Sequence, residues 1–187
     1  VFDSVLKGIS QFVGSMVGKA MVKELSPMLL ALIFAGRVGS SVTAEIGTMQ
    51  VSEQLDALKT LYTNPVEYVA VPRFWAAVIS LPMLTISADI IGILGGAVVT
   101  IFVLNSDPIH YFDRAFAVIS LGDFIGSLIK STIFGAEVML ISCFFGFRTT
   151  GGAEGVGKAT TTSVVYSFMI ILITDYLLVS ILGMFGM

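Results

Sequence analysis

The sequence predicts an all-α, polytopic membrane protein. Of its 187 residues, 56% are hydrophobic and 12% are charged, whereas a soluble domain carries roughly 25% charged residues. The mean hydropathy is +0.95. The apolar residues also gather into stretches longer than the ~20 residues that cross a ~30 Å hydrocarbon core. We therefore predict one transmembrane domain over residues 1–187, built as a helical bundle because helices satisfy their own backbone hydrogen bonds in lipid.

Four spans are predicted, at approximately residues 25–49, 74–104, 124–147 and 164–185. Ahead of them, residues 4–22 carry apolar side chains at three- and four-residue spacing, which predicts an amphipathic helix at the membrane boundary. Pro27 falls in the first turn of the first span, where proline is tolerated. Pro82, inside the second span, predicts a kink or break.

Three segments connect the spans. Residues 51–64 carry one apolar stripe and a polar face, typical of a short amphipathic helix that either rests on the membrane or docks a soluble partner. Residues 105–123 predict an exposed loop with a small surface helix. Residues 148–162 are rich in glycine and threonine and predict a loop.

Several function classes are excluded by the inventory of residues. The net charge of −3 and the absence of a lysine or arginine run argue against a nucleic-acid surface. Cys143 and His110 each stand alone, so no disulfide, metal site or nucleophile-base pair is predicted, and we expect no enzyme. Residues 152–160 nearly match the phosphate-binding pattern GxxxxGK[ST], but Ala159 replaces the hydroxyl that binds Mg²⁺.

Among the charges in or near the spans, where each costs at least ~2.5–3.5 kcal/mol at mid-bilayer, we single out Arg37, Glu45, Asp89, Glu137 and Asp175. Arg37 and Glu45 lie about 80° apart round a helix, and a structural ion pair and a cavity-facing role both stay open. The three acids could instead form a proton or ion relay. That alternative would make the protein an ion-coupled secondary transporter or channel.

Small residues recur every fourth position in the first span, at Gly36, Ser40 and Ala44, with Ala35 and Gly39 alongside. A helix face this bare lets another helix approach closely in lipid. We expect a packing interface here, within the bundle or with a second copy of the chain.

The stretch KELSPMLLALIFAGRVGSSVTAEIGTMQ at residues 23–50, followed by SEQLDAL and PRFWAAVISLPML, closely resembles the MlaE/YrbE permease family of MCE-associated lipid ABC transporters. The resemblance implies a homodimer in a bacterial inner membrane, with five spans in a complete subunit. Relative to that family, we expect an N-terminal interfacial helix and first span to be missing from this sequence.

The resemblance also implies function and partners. It implies a permease that moves phospholipids between the inner membrane and the outer envelope, maintaining the lipid asymmetry of the outer membrane. Expected partners are a cytoplasmic ABC ATPase that carries ATP and Mg²⁺, a periplasmic MCE-domain protein and, as in many members, a small cytoplasmic regulatory subunit. No cofactor is expected in this chain itself.

Finally, the resemblance assigns site residues. The basic-acidic pair that borders the family's lipid pocket is similar to Lys23 and Glu24, followed by Leu25, and Lys158 matches a basic position before the last span. The 51–64 helix corresponds to a coupling helix on the ATPase, where Glu53, Gln54, Leu55 and Leu58 are the expected contacts, and residues 105–123 become periplasmic. In this interpretation the 51–64 helix is a lever moved by the ATPase.

Overall fold

A computed structural model describes residues 14–104 and 107–184, and these residues form helices and short turns. We number the helices in chain order. Helix α1 is Gly14–Val51, α2 is Gln54–Thr60, and α3 is a π-helical turn at Val66–Ala70 continued by Val71–Leu104. Helix α4 is Pro108–Val118, α5 is Leu121–Phe147 and α6 is Gly152–Met184. Within the described residues, α1, α3, α5 and α6 are long and apolar enough to cross a membrane, which confirms the predicted fold class.

The first span is longer than predicted. Residues 14–22 continue directly into it, so this part of the expected boundary helix belongs to α1, while residues 4–13 lie outside the described residues. Pro27 consequently lies inside a helix. A π-helical turn at Met21–Leu25 accommodates it, because the wider turn redirects the backbone bonds that a helical proline disrupts.

The second span begins at Val66 and passes Pro82 without ending, so the predicted break is absent from α3. In the connection after it, the expected surface helix is α4, which is capped by the Asp107 side chain accepting from the Ile109 N–H. Helix α5 begins at Leu121 with a reciprocal capping box between Ser120 and Asp123.

The predicted loop at residues 148–162 is wrong for most of its length. Only a short turn at residues 148–151 precedes α6, in which Gly151 has a φ of +88° that favours glycine. The helix then starts at Gly152 and not near residue 164. Glycine and threonine are both poor helix formers, yet this segment is helical. The hydroxyls of Thr160, Thr161 and Thr162 donate to carbonyls four residues earlier in α6, so they need no partner outside the helix.

Helix α5 lies at the centre of the bundle and packs against α1, α3 and α6. It runs parallel to α1, because Lys23 meets Asp123 near one end and Gly47 packs on Thr149 near the other. Helices α3 and α6 run antiparallel to it. The buried Thr43 hydroxyl joins three helices, donating to Gly39 and contacting the Ser142 carbonyl and Ser163 hydroxyl at 3.2 and 3.0 Å.

Glycines set the distance between the helices. A Cβ placed on Gly135 of α5 would lie 2.8 Å from the Ala77 carbonyl oxygen of α3, and one on Gly39 of α1 would lie 2.9 Å from the Ser142 hydroxyl of α5. The close-packing face predicted in the first span is therefore confirmed at Ala35 and Gly39, which are buried. Gly36 is exposed, and the nearest atom to a Cβ there would be in the Phe168 ring.

We predict that Gly135→Ala destabilises the bundle by about 1–3 kcal/mol, because the added methyl group meets backbone that cannot rotate away. The matched control is Gly157→Ala in α6, where nothing lies within 4 Å of the added Cβ, and where the better helix former should be neutral or stabilising. Thermal unfolding of both variants in nanodiscs measures the difference. Equal melting temperatures would contradict the α3–α5 packing.

Candidate functional site

A buried lysine in α5 joins three helices. The Lys130 side chain is 3% exposed, and its ammonium group lies 2.8 Å from Glu24 Oε2 of α1 and 3.2 Å from Asp175 Oδ1 of α6. It also lies 3.4 Å from the Lys23 carbonyl oxygen. A charge so deeply buried requires partners of opposite sign, and both carboxylates supply them.

The Lys23 carbonyl is available because of Pro27. In a regular helix the N–H of residue 27 would donate to the carbonyl of residue 23, but proline has no N–H. The π-helical turn at Met21–Leu25 surrounds this position, and the Lys130 ammonium approaches the carbonyl that proline leaves. Turns of this kind are frequent at functional sites.

A second ion pair lies beside the first. Lys23 Nζ is 3.6 Å from Asp123 Oδ1, with the lysine side chain 32% exposed and the aspartate 6% exposed. Asp123 is held by the capping box at the start of α5, which fixes the carboxylate where Lys23 reaches it.

These charges form one wall of a narrow, partly open cleft between α1, α5 and α6. Polar and small residues of α1 and α5 line the charged side, and apolar residues of α6 line the other. The lining residues are Lys23, Glu24, Asp123, Gly126, Ser127, Lys130, Val179 and Leu182.

Of the four residues expected to bind lipid, the structure brings Lys23 and Glu24 together in the cleft. Leu25 follows them and is 42% exposed. Lys158 lies elsewhere, because it precedes Asp175 by 17 residues in the same helix, a separation of about 25 Å along the axis. It is exposed near the end of the bundle that carries α2.

The two charges considered as an intramembrane pair do not contact each other. Glu45 accepts from Arg73 Nη2 of α3 at 2.7 Å. Arg37 lies on the exposed face of α1, and no ion pair or hydrogen bond of its side chain occurs within residues 14–104 and 107–184. Sequence reasoning missed Arg73 as the partner because it stands at the end of a different span.

The three acids considered for an ion relay have separate surroundings. Asp175 is neutralised by Lys130. Glu137 accepts from the Thr174 hydroxyl at 2.8 Å. Asp89 is buried in α3, and neither oxygen receives a well-aligned hydrogen bond from any described residue. This arrangement offers no specific support for a shared relay.

The expected ATPase contacts divide into two groups. Glu53 and Gln54 are exposed, whereas Leu55 is 1% exposed and Leu58 packs against the same core. The apolar stripe thus holds α2 to the bundle, and its other face is free for a partner. Sequence reasoning gave no separate role to Leu61 and Tyr62, which are 72% and 101% exposed at the end of α2.

Metal and nucleotide chemistry receive no support. The described ranges hold no group of three or more histidine, cysteine, aspartate or glutamate residues that could bind a metal ion. The segment that resembles a phosphate-binding loop is helical from Gly152 onward. Beyond the first turn its backbone N–H groups are therefore engaged within α6, and the segment does not form a loop that wraps a phosphate.

The bundle defines a multi-pass membrane protein with a charged cleft between its spans. Comparison with known families narrows this class, because the profile of the permease MlaE family matches residues 4–181. The chain belongs to the MlaE permease family.

Relatives agree with this assignment. The chain is 44% identical over 180 residues to a probable ABC transporter permease of Rickettsia typhi, covering 94% of this chain and 70% of the relative. It is 41% identical over 176 residues to a probable ABC transporter permease of Synechocystis sp., covering 94% and 67%. It is also 39% identical over 173 residues to the chloroplastic protein TRIGALACTOSYLDIACYLGLYCEROL 1 of Arabidopsis thaliana, covering 92% and 49%. The role of this chain is that of a transport permease.

We predict that Lys130→Met destabilises the protein by about 3–5 kcal/mol, because it leaves Glu24 and Asp175 without their shared cation. Combining it with Glu24→Gln and Asp175→Asn should recover part of the loss. The control is Lys59→Met, which removes an exposed pair with Asp56 at 2.7 Å and should cost less than about 1 kcal/mol. Thermal unfolding in nanodiscs checks this, and similar losses for the two single variants would contradict a structural role for the network.

Proposed function

We propose that this chain is the permease subunit of an ABC transporter that moves phospholipids between the bacterial inner membrane and the outer envelope. It acts as a homodimer with a cytoplasmic ATPase, which binds ATP and Mg²⁺, and with a periplasmic MCE-domain protein. A small cytoplasmic regulatory subunit completes the proposed assembly. The observation that carries the proposal is the cleft with charged residues on one side and apolar residues on the other.

The charged side of the cleft suits the headgroup of a phospholipid, and the apolar side suits its acyl chains. Lys23, a third exposed, can meet a phosphate as a point charge, and Glu24, 35% exposed, offers an acceptor to an amine. Val179 and Leu182 supply the apolar side that acyl chains require. The name of the Arabidopsis relative refers to a galactolipid, which supports a lipid as the substrate class.

The surface of α1 supports the homodimer. Arg37, Ser41 and Glu45 are exposed along one face of a membrane-spanning helix, next to Gly36. Charged and small residues on spans ordinarily face another helix or an aqueous cavity and not lipid. A second copy of the chain would cover this face.

The position of α2 supports coupling to an ATPase. It follows α1 at the end of the bundle opposite the cleft, and Leu55 fixes it to the core. Its exposed face is polar, with Leu61 and Tyr62 beyond it. A push on this face would reach the cleft through α1, because one continuous helix joins Val51 to Lys23.

We predict that Lys23→Gln lowers the affinity for phospholipid about tenfold, because a hydrogen bond to a charged group is worth ~1.5–3 kcal/mol. Lys158→Gln is the matched comparison and should leave binding unchanged. The measurement is mass spectrometry of phospholipid retained by the full-length protein copurified in nanodiscs, together with the proteins recovered. Loss of lipid only in the Lys158 variant would move the site to the α2 end, and recovery of the permease alone and lipid-free would contradict the proposal.

We predict that Leu61→Ser combined with Tyr62→Ser abolishes most ATPase copurification while leaving thermal stability unchanged, because both side chains are exposed and large apolar anchors dominate interfaces. The control is Leu121→Ser, which alters a residue 76% exposed at the opposite end of the bundle. ATPase recovery on an affinity column measures the effect. Undiminished recovery from the double variant would contradict docking through this end of α2.

A further inference from the structure

Asp89 is the least satisfied ionisable group in the described part of the chain. It lies in α3, 5% exposed, and neither carboxylate oxygen receives a well-aligned hydrogen bond within residues 14–104 and 107–184. A carboxylate buried without a cation or donor is very costly, and such a group takes up a proton in preference to remaining charged.

Two other buried hydroxyl groups without hydrogen-bond partners lie at a similar height in the bundle. The Ser26 hydroxyl of α1 faces the Asp89 carboxyl without a well-aligned hydrogen bond, and Ser127 of α5 is 1% exposed with an unpaired hydroxyl. Gly135 of α5 lies beside Ala77 of the antiparallel α3. Counting from that contact places Ser127 within about one helical turn of the height of Asp89.

The cations nearest in the fold are already engaged. On α1 and α5, which pack against α3, Lys130 binds Glu24 and Asp175, and Lys23 binds Asp123, with Lys19 also near Asp123. On α4, the Tyr111 hydroxyl donates to the Ile93 carbonyl at 3.0 Å, and burial raises the pKa of Tyr111 above its usual range. The remaining ionisable residues of α4 are exposed: His110, Asp113 and Arg114.

We propose that Asp89, with Ser26 and Ser127, is a proton-binding site inside the membrane, and that its carboxyl is neutral in the resting permease. As a neutral acid it can donate to one hydroxyl and accept from the other, which satisfies all three groups. Loss of the proton to water would place a negative charge beside Ser26, two residues along α1 from Glu24, and this charge would alter the electrostatic balance around Lys130. The site therefore links proton occupancy to the cleft, whatever molecule the cleft binds.

The test is infrared spectroscopy of the full-length permease with its ATPase in nanodiscs, titrated from acidic to alkaline pH. We expect a protonated-carboxyl C=O band at neutral pH that is lost in Asp89→Asn and kept in the control Glu137→Gln, which alters another intramembrane carboxyl. We expect wild-type lipid transport to fall at alkaline pH, where Asp89 loses its proton. Asp89→Asn mimics the neutral acid, so its lipid transport should stay within about twofold of wild type at neutral pH and should not fall at alkaline pH.

Three outcomes would overturn the proposal. The first is the absence of an Asp89 acid band in the wild type at neutral pH, which needs no variant to fold. The second is conversion of that band to carboxylate on addition of sodium, which would indicate a sodium site. The third is an Asp89→Asn protein that folds but transports more than about tenfold more slowly. The first two outcomes are independent of whether the cleft binds phospholipid, whereas the transport readout rests on the proposed function.

Discussion

The bundle depends on how one buried ammonium group is neutralised. Lys130 stands on the central helix, and its two carboxylate partners stand 106 residues before it and 45 residues after it, on α1 and α6. Burying this lysine has a large desolvation cost, and only the two carboxylate partners together offset it. The relative positions of three spans are therefore tied to one side chain, and the cleft forms where those spans meet.

The same lysine explains a backbone feature that looks like a defect. A proline in the middle of a membrane helix leaves a carbonyl without its donor, and lipid offers none. In α1 the π-helical turn redirects the backbone hydrogen bonds, and the Lys130 ammonium group approaches the Lys23 carbonyl as a donor. Pro27 thus contributes to the site by freeing an oxygen, and the neighbouring Lys23 and Glu24 side chains project from a turn wider than an α-helical one.

The sequence predicted what depends on local composition. All four spans follow from hydropathy, and α4 from its turn residues and short apolar patch. The start of α6 did not, since glycine and threonine are poor helix formers by local propensity, and packing in the bundle overrides that preference. Within the site, Lys23 and Glu24 were predicted from the resemblance to the MlaE/YrbE family and not from the local pattern of residues. Lys130 lies inside the predicted span 124–147, where an unpaired lysine was a usable signal, but its partners are distant in sequence and no periodicity connects them.

The geometry separates rigid and adaptable parts of α1, and this bears on how force could cross the protein. Between Gly39 and Gly47 the helix packs closely on α5, and Thr43 ties it to α6 as well. Any movement imposed at α2 must therefore carry these helices together. At Met21–Leu25 the packing gives way to a π-helical turn held by ion pairs, two of whose members are about a third exposed. Such contacts can exchange partners at lower cost than a close-packed interface, because water or a charged ligand can replace them. The proposed transport cycle therefore requires rearrangement at the cleft end of α1, while the α2 end moves as a unit.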